Sequence, residues 1–171
     1  MQLSEALIIA NKYKAHLAPF CDRIEIAGSI RRQKPEVKDI ELVAIPIQQV
    51  ARIDLFSGVQ TQPVPGFIQT VNMWHKIKGE ATGKYTQRSL VEGINLDLFI
   101  ATRLNWGLIF AIRTGSVDYS HHVLANGWTK LGYKSEGGIL RRDGHLTIVK
   151  EEADLFNLLG IPYVEPQLRN L

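Results

Sequence analysis

Apolar residues at spacings of three and four mark the first element. Leu3, Ala6, Leu7, Ala10, Tyr13 and Leu17 share one side of residues 3–18, while Lys12, Lys14 and His16 fall elsewhere. That period predicts an amphipathic helix covering a core and ended by Pro19. The period then shortens to two: "RIEIAG" (23–28) and "KDIELVAIP" (38–46) alternate and are rich in Ile, Val and Leu, which predicts strands. Between them "SIRRQK" has room for about one or two helical turns before Pro35. Residues 47–58 carry a weaker helical pattern through Val50, Ile53, Leu55 and Phe56, and the prolines and glycine of "QTQPVPGF" predict a loop. "KYTQRSL" and "INLDLFIAT" return to strand character, the second strongly apolar apart from Asp97.

The pattern changes after about residue 103. "NWGLIFAIR" (105–113) predicts a helix, "TGS" (114–116) a tight turn, and Val117, His121, Leu124, Trp128 and Leu131 the buried face of another helix. "GGILRRDGHLTI" predicts a hairpin turning at Asp143-Gly144, and Glu151 to Leu159 a last helix stopped by Gly160 and Pro162. The fold class is α+β: a mixed β-sheet flanked by helices over residues 1–103, then a small helical and β-hairpin subdomain over residues 104–171.

Composition narrows the setting more than the chemistry. The 171 residues are 45% hydrophobic with a formal charge of +3, a mildly basic balance compatible with a polyanionic partner. Cys21 is the only cysteine, which excludes an intrachain disulfide and a cysteine-built zinc site and predicts a buried thiol. No signal segment or membrane-length apolar run is visible, so the expectation is a soluble, cytoplasmic protein without membrane contact.

The candidate chemistry sits inside the strands. In a strand Asp39 and Glu41 project from one face and Ile40 and Leu42 from the other. Such a pair is ordinarily a solvated face; the alternative is a cation site, for which oxygen-only ligands suit Mg²⁺ or Mn²⁺. Asp97 in "NLDLF" would join them if its strand lay alongside. Gly28-Ser29, at a strand end and a helix start, is placed to receive phosphate, with Arg31 or Arg32 to supply a guanidinium. A phosphate cradle followed by a same-face acid pair describes nucleotidyl transfer.

"GSIRR", "DIE", "LDLF", "RTGS" and "DLFNLLGIPYVEP", in that order and at that spacing, resemble the family X DNA polymerases, relatives of DNA polymerase beta. The resemblance spans the palm and the subdomain called thumb or fingers, and implies a minimal polymerase without the amino-terminal lyase domain of larger members. It implies that Asp39, Glu41 and Asp97 are catalytic and hold two Mg²⁺, with Mn²⁺ able to substitute, and that Asp97 takes the primer hydroxyl proton. It places Gly28, Ser29, Arg32 and Lys38, with Ile112, Arg113, Gly115, Ser116 and Ser120, at the incoming dNTP, the Gly115-Ser116 turn often containing a cis peptide. There are three departures from the family: Glu41 replaces an aspartate, Ile112-Arg113 a Tyr-Phe pair near the sugar, and Ser120 an asparagine that contacts the base edge.

Lys84, Arg88, Arg141 and Arg142 are candidate DNA contacts, with Lys76 and Lys78 in the same basic stretch. His121 is expected to face the core and His122 solvent, and the three tryptophans to serve as core or rim. The expected function is a monomeric, template-directed DNA polymerase acting on primer-template or gapped DNA in repair. The alternatives are nucleotidyl transfer to RNA or another non-templated acceptor, and a non-catalytic nucleic-acid-binding module.

Overall fold

A computed structural model describes residues 1–54 and 58–171. Leu55 and Phe56, part of the weak helical pattern, lie outside the described residues. The first helix is present as α1 (Leu3–Leu17), and strand β1 (Cys21–Ile26) follows. Ile9 rather than Leu7 completes the buried face of α1, leaving Leu7 42% exposed. A single helical turn, α2 (Gly28–Arg31), leads to β2 (Asp39–Pro46). Residues 48–54 and 58–63 overturn the helix and loop expectations: β3 (Gln48–Asp54) pairs antiparallel with β4 (Gly58–Pro63). Val50, Ile53 and Val59 are exposed on these strands, so among the described residues there is no buried stripe of the kind a periodicity argument reads.

Helix α3 (Pro65–Asn72), the exposed edge strand β5 (His75–Lys78), β6 (Tyr85–Ser89) and β7 (Asn95–Ile100) complete the first half. The main sheet has the order β1-β2-β7-β6-β5, with β2 and β7 parallel and the other neighbours antiparallel. The parallel pair is possible because a long stretch of chain separates β2 from β7. One sheet face, through Ile24, Ile40, Leu42, Ala44, Leu96 and Leu98, packs on α1 and α3 residues such as Ala6, Tyr13, Phe67 and Val71. The other face is covered only in part: Val43, Ile45 and Phe99 pack against Trp106 and Phe110 of α4 (Trp106–Thr114).

Beyond α4 come short α5 (Val117–Tyr119), a π-helical turn (Ser120–Ala125), α6 (Asn126–Lys130), the meander β8 (Lys134–Glu136), β9 (Ile139–Arg142) and β10 (His145–Thr147), and α7 (Glu152–Leu159). The predicted hairpin turns where expected, with Asp143 and Gly144 at positive φ of 51° and 78°. Helix α7 has a capping box between Glu151 and Asp154 and ends at left-handed Gly160. The expected face from Val117 to Leu131 is only partly realised. Tyr119, Leu124 and Trp128 are buried, but Val117 and Leu131 are exposed, and so is His121, which sequence placed in the core. A π-helical turn holds more residues than an α-turn, so a face drawn at the α-helical period slips there. The half-buried Cys21 thiol is pushed up to about 12 by burial and then by Asp22. Among the described residues no helix is long and apolar enough to cross a membrane.

Candidate active site

Strand β2 changes character halfway along one face. Asp39, Glu41, Val43 and Ile45 all project from it; α4 covers Val43 and Ile45 and leaves the two acids uncovered by that helix. The parallel register puts Glu41 opposite Asp97 and Asp39 opposite Asn95. The adjacency that sequence left open is therefore real: three carboxylates share one patch of one face. Tyr85, whose strand places it on that face too, donates its hydroxyl hydrogen to Asp97 Oδ1 at 2.5 Å. No motif signals Tyr85; it becomes visible only when β6 pairs with β7.

The charges in this patch are under-compensated. Burial, then Asp39 and Asp97, push the Glu41 carboxyl up to about 7, with Arg32 and Arg113 acting in the other direction. Asp39 is raised by burial and by Asp97. Among the described residues no three His, Cys, Asp or Glu side chains form a finished cation cage. Glu41 lies over Gly28, and Asp97 is engaged by Tyr85. The donor set nonetheless fits a hard divalent cation in kind, being all oxygen, triply acidic and short of positive charge.

Gly28 begins α2 as expected, but its nearest neighbour is an acid: a Cβ there would stand 1.6 Å from Glu41 Oε2, and φ is +61°. Gly28→Ala is therefore expected to displace Glu41, to cost about 1–2 kcal/mol for a left-handed alanine, and to abolish activity that depends on Glu41. Thermal unfolding and a turnover assay measure the two effects separately. Among the described residues Ser29 Oγ is buried without a hydrogen-bond partner. Lys38 is exposed at the strand entrance.

The two arginines after Ser29 bring distant motifs together. Arg32 donates from Nη1 to the Thr114 carbonyl oxygen at 2.6 Å and from Nε to Asn170 Oδ1 at 3.1 Å. Arg31 donates to Thr114 Oγ1 at 2.6 Å, reaches Glu152 with both Nη atoms, and stacks on Phe110. "GSIRR" and "RTGS" thus meet at Thr114, which is fully buried. Guanidinium donors at the carboxyl end of α4 also complement that helix's dipole.

Ile112 is half-buried, and Arg113 stacks on Phe99 at 4.0 Å, close enough to Glu41, Asp97 and Tyr85 to feel their charges. Gly115 and Ser116 form the turn without a cis peptide, and Ser116 Oγ accepts from the amides of Tyr119 and Leu171. Ser120 donates its hydroxyl to the Ile112 carbonyl at 2.7 Å. That bond ties the hydroxyl into the helix rather than offering it to a base edge.

The candidate DNA contacts separate. Lys84 donates to the Gly137 carbonyl and, with Arg113, lines a cavity of about 900 Å³ between the sheet and the β8–β9 turn. Arg141 and Arg142 lie on the small sheet, loosely paired with Glu136 and Asp143. Arg88 sits opposite Leu96 in the register, hence on the reverse of the carboxylate face, and is only 1% exposed. It does not share a groove with Lys84, which precedes β6 and lines the cavity beside Tyr85, Phe99 and Arg113 on the carboxylate side of the sheet. Trp106 and Trp128 are buried and Trp74 packs edge-on against Tyr13, so the tryptophans are core and rim.

Comparison with known proteins converges with this geometry. Residues 110–170 match the DNA polymerase beta thumb family. The chain aligns over 100% of its length with 77% of Leishmania infantum polymerase beta, solved as a ternary P/T complex, at a TM-score of 0.70 and 17% identity. No curated protein matches the chain by sequence. The resemblance read from the motifs is borne out in the thumb by sequence and along the whole chain by fold.

Proposed function

We propose that this chain, a polymerase beta-like domain of family X by its thumb and its fold, is a template-directed DNA polymerase acting in repair or gap filling, with residues 1–103 as palm and 104–171 as thumb. The observation that carries the reading is the shared face of Asp39, Glu41 and Asp97 beside the Thr114 junction of the two motifs. The primer 3′-hydroxyl oxygen bonds to the α-phosphorus of a dNTP as the bond to the β-phosphate oxygen breaks, and pyrophosphate leaves. Asp39, Glu41 and Asp97 would hold two Mg²⁺, or Mn²⁺ in their place, which neutralise phosphate charge and acidify the attacking hydroxyl.

The chain's own groups do the positioning. Tyr85 fixes the Asp97 carboxylate through Oδ1, leaving Oδ2 to accept the primer hydroxyl proton. Ser29 Oγ and Arg32 Nη2, neither hydrogen-bonded among the described residues, bind the triphosphate. Gly28 and Lys38 line the palm side of the nucleotide. Ile112, Arg113, Gly115, Ser116 and the backbone near Ser120 line the thumb side. Lys84, Arg141 and Arg142 contact DNA phosphates.

Primer extension on gapped, recessed and single-stranded DNA, with Mg²⁺ or Mn²⁺, tests the reading; no incorporation on any templated substrate would refute it. DNA affinity is expected to fall with salt, with a slope of log Kd against log[salt] near 0.9 per phosphate contact. Removing Arg141 or Arg142 should each lower that slope by about 1, a change that fluorescence anisotropy at several salt concentrations resolves. A second reading, transfer to RNA or another non-templated acceptor, is favoured by Arg113, which leans on Phe99 where the family has an aromatic beside the sugar. Extension with ribonucleotides on unpaired acceptors would select it.

A further inference from the structure

The reverse of the sheet holds a charge that the polymerase reading leaves without a role. Arg88 is 1% exposed, yet among the described residues its one hydrogen bond is a long one, Nη2 to Asn72 Oδ1 at 3.4 Å, and its Nε has no partner. The acid whose charge acts on it, Glu80, is exposed and committed to Lys76 at 2.8 Å. A guanidinium taken out of water ordinarily meets a carboxylate in bidentate fashion, and leaving its N–H donors unmet is costly. Asn72 ends α3, and the carboxyl end of that helix favours positive charge but does not supply the missing acceptor.

The buried side chain nonetheless borders open space. Arg88 lines a pocket of about 600 Å³ with Asn72, Trp74, His75 and Lys76, between the end of α3 and the edge strand β5. Counting Glu80, the formal charge of this lining is positive. We propose that Arg88, backed by Lys76 and His75, binds a phosphate group on the face of the sheet opposite the carboxylates. The planar fork of Arg88 suits two phosphate oxygens, and the pocket is large enough for a phosphate that carries a substituent. Free phosphate and the phosphate of a DNA strand passing over β5 share this chemistry.

The side-chain Nε–H resonance of Arg88 in the ¹⁵N-labelled full chain reports the site directly. Titration with inorganic phosphate, against potassium chloride at matched ionic strength, is expected to shift that resonance saturably and to raise Tm. A short oligonucleotide with and without a 5′-phosphate forms the second arm. Saturation by the phosphorylated strand at lower concentration than by inorganic phosphate assigns the site to DNA, and a response to inorganic phosphate alone assigns it to the free ion. Asn72→Asp should place a carboxylate within reach of Nη2, raising Tm without ligand and abolishing the phosphate shift while primer extension is retained. An Arg88 resonance unmoved by both ligands, or an Asn72→Asp protein that responds as the wild type does, would overturn the proposal.

Discussion

Asp97→Asn is expected to lower nucleotide incorporation by about 10²–10³-fold or more, the order of magnitude for removing one preorganised electrostatic partner of a transition state. The substitution keeps the shape of the side chain and removes its charge and its capacity to take a proton. Folding should be retained. Asp97 contributes to the repulsion that raises Asp39 and Glu41, so deleting its charge relieves the patch. In the absence of divalent ions the variant should therefore unfold at a temperature no lower than wild type, the usual exchange of stability for function at a site of like charges. Steady-state primer extension beside thermal unfolding separates the two effects. Full activity in the variant would remove Asp97 from the chemistry, and a large loss of Tm would make it structural.

Glu152→Ala is expected to destabilise the fold by about 3–5 kcal/mol, the cost of breaking a buried ion pair by removing one member. Glu152 accepts from Arg31, from Arg169, which is fully buried, and from the Tyr163 hydroxyl. Alanine would leave Arg169 buried without its counter-ion. Burial alone would raise the Glu152 carboxyl, but the hydrogen bonds and charges of Arg31 and Arg169 outweigh it and hold the group below its ordinary value. A lowered acid contributes stability that is complete above its unfolded pKa, about 4.3, and is lost as pH falls through the folded value. Urea unfolding of wild type and variant from pH 7 downward should converge below that window. Arg31 follows Ser29 by two positions, so the variant should also loosen α2 and weaken nucleotide binding before global unfolding.

The legibility of the fold followed burial. Helix α1 and strands β1, β2 and β7 each have one face in a core, and their periods show it. The β3–β4 hairpin and the fully exposed strand β5 have no such constraint, so Val50 and Ile53 gave a helical suggestion with nothing behind it. The setting of Arg88 was hidden for the opposite reason. A basic residue in a strand pattern reads as surface, and only the pairing of β6 with β7 and the cover from α3 reveal it as buried.

For the candidate site, sequence by itself determined which groups are available and which share a strand face: Asp39 with Glu41, and Ser29 followed by two arginines. Those are local facts, set by the two-residue period of a strand and by the chemistry of the side chains. Tertiary structure alone decided that Glu41 stands opposite Asp97, that Tyr85 holds Asp97, that Glu41 rests on Gly28, and that Arg31 and Arg32 converge on Thr114. Each of these joins separate elements through strand register or helix docking, and register is fixed by the packing of the whole sheet rather than by any one segment.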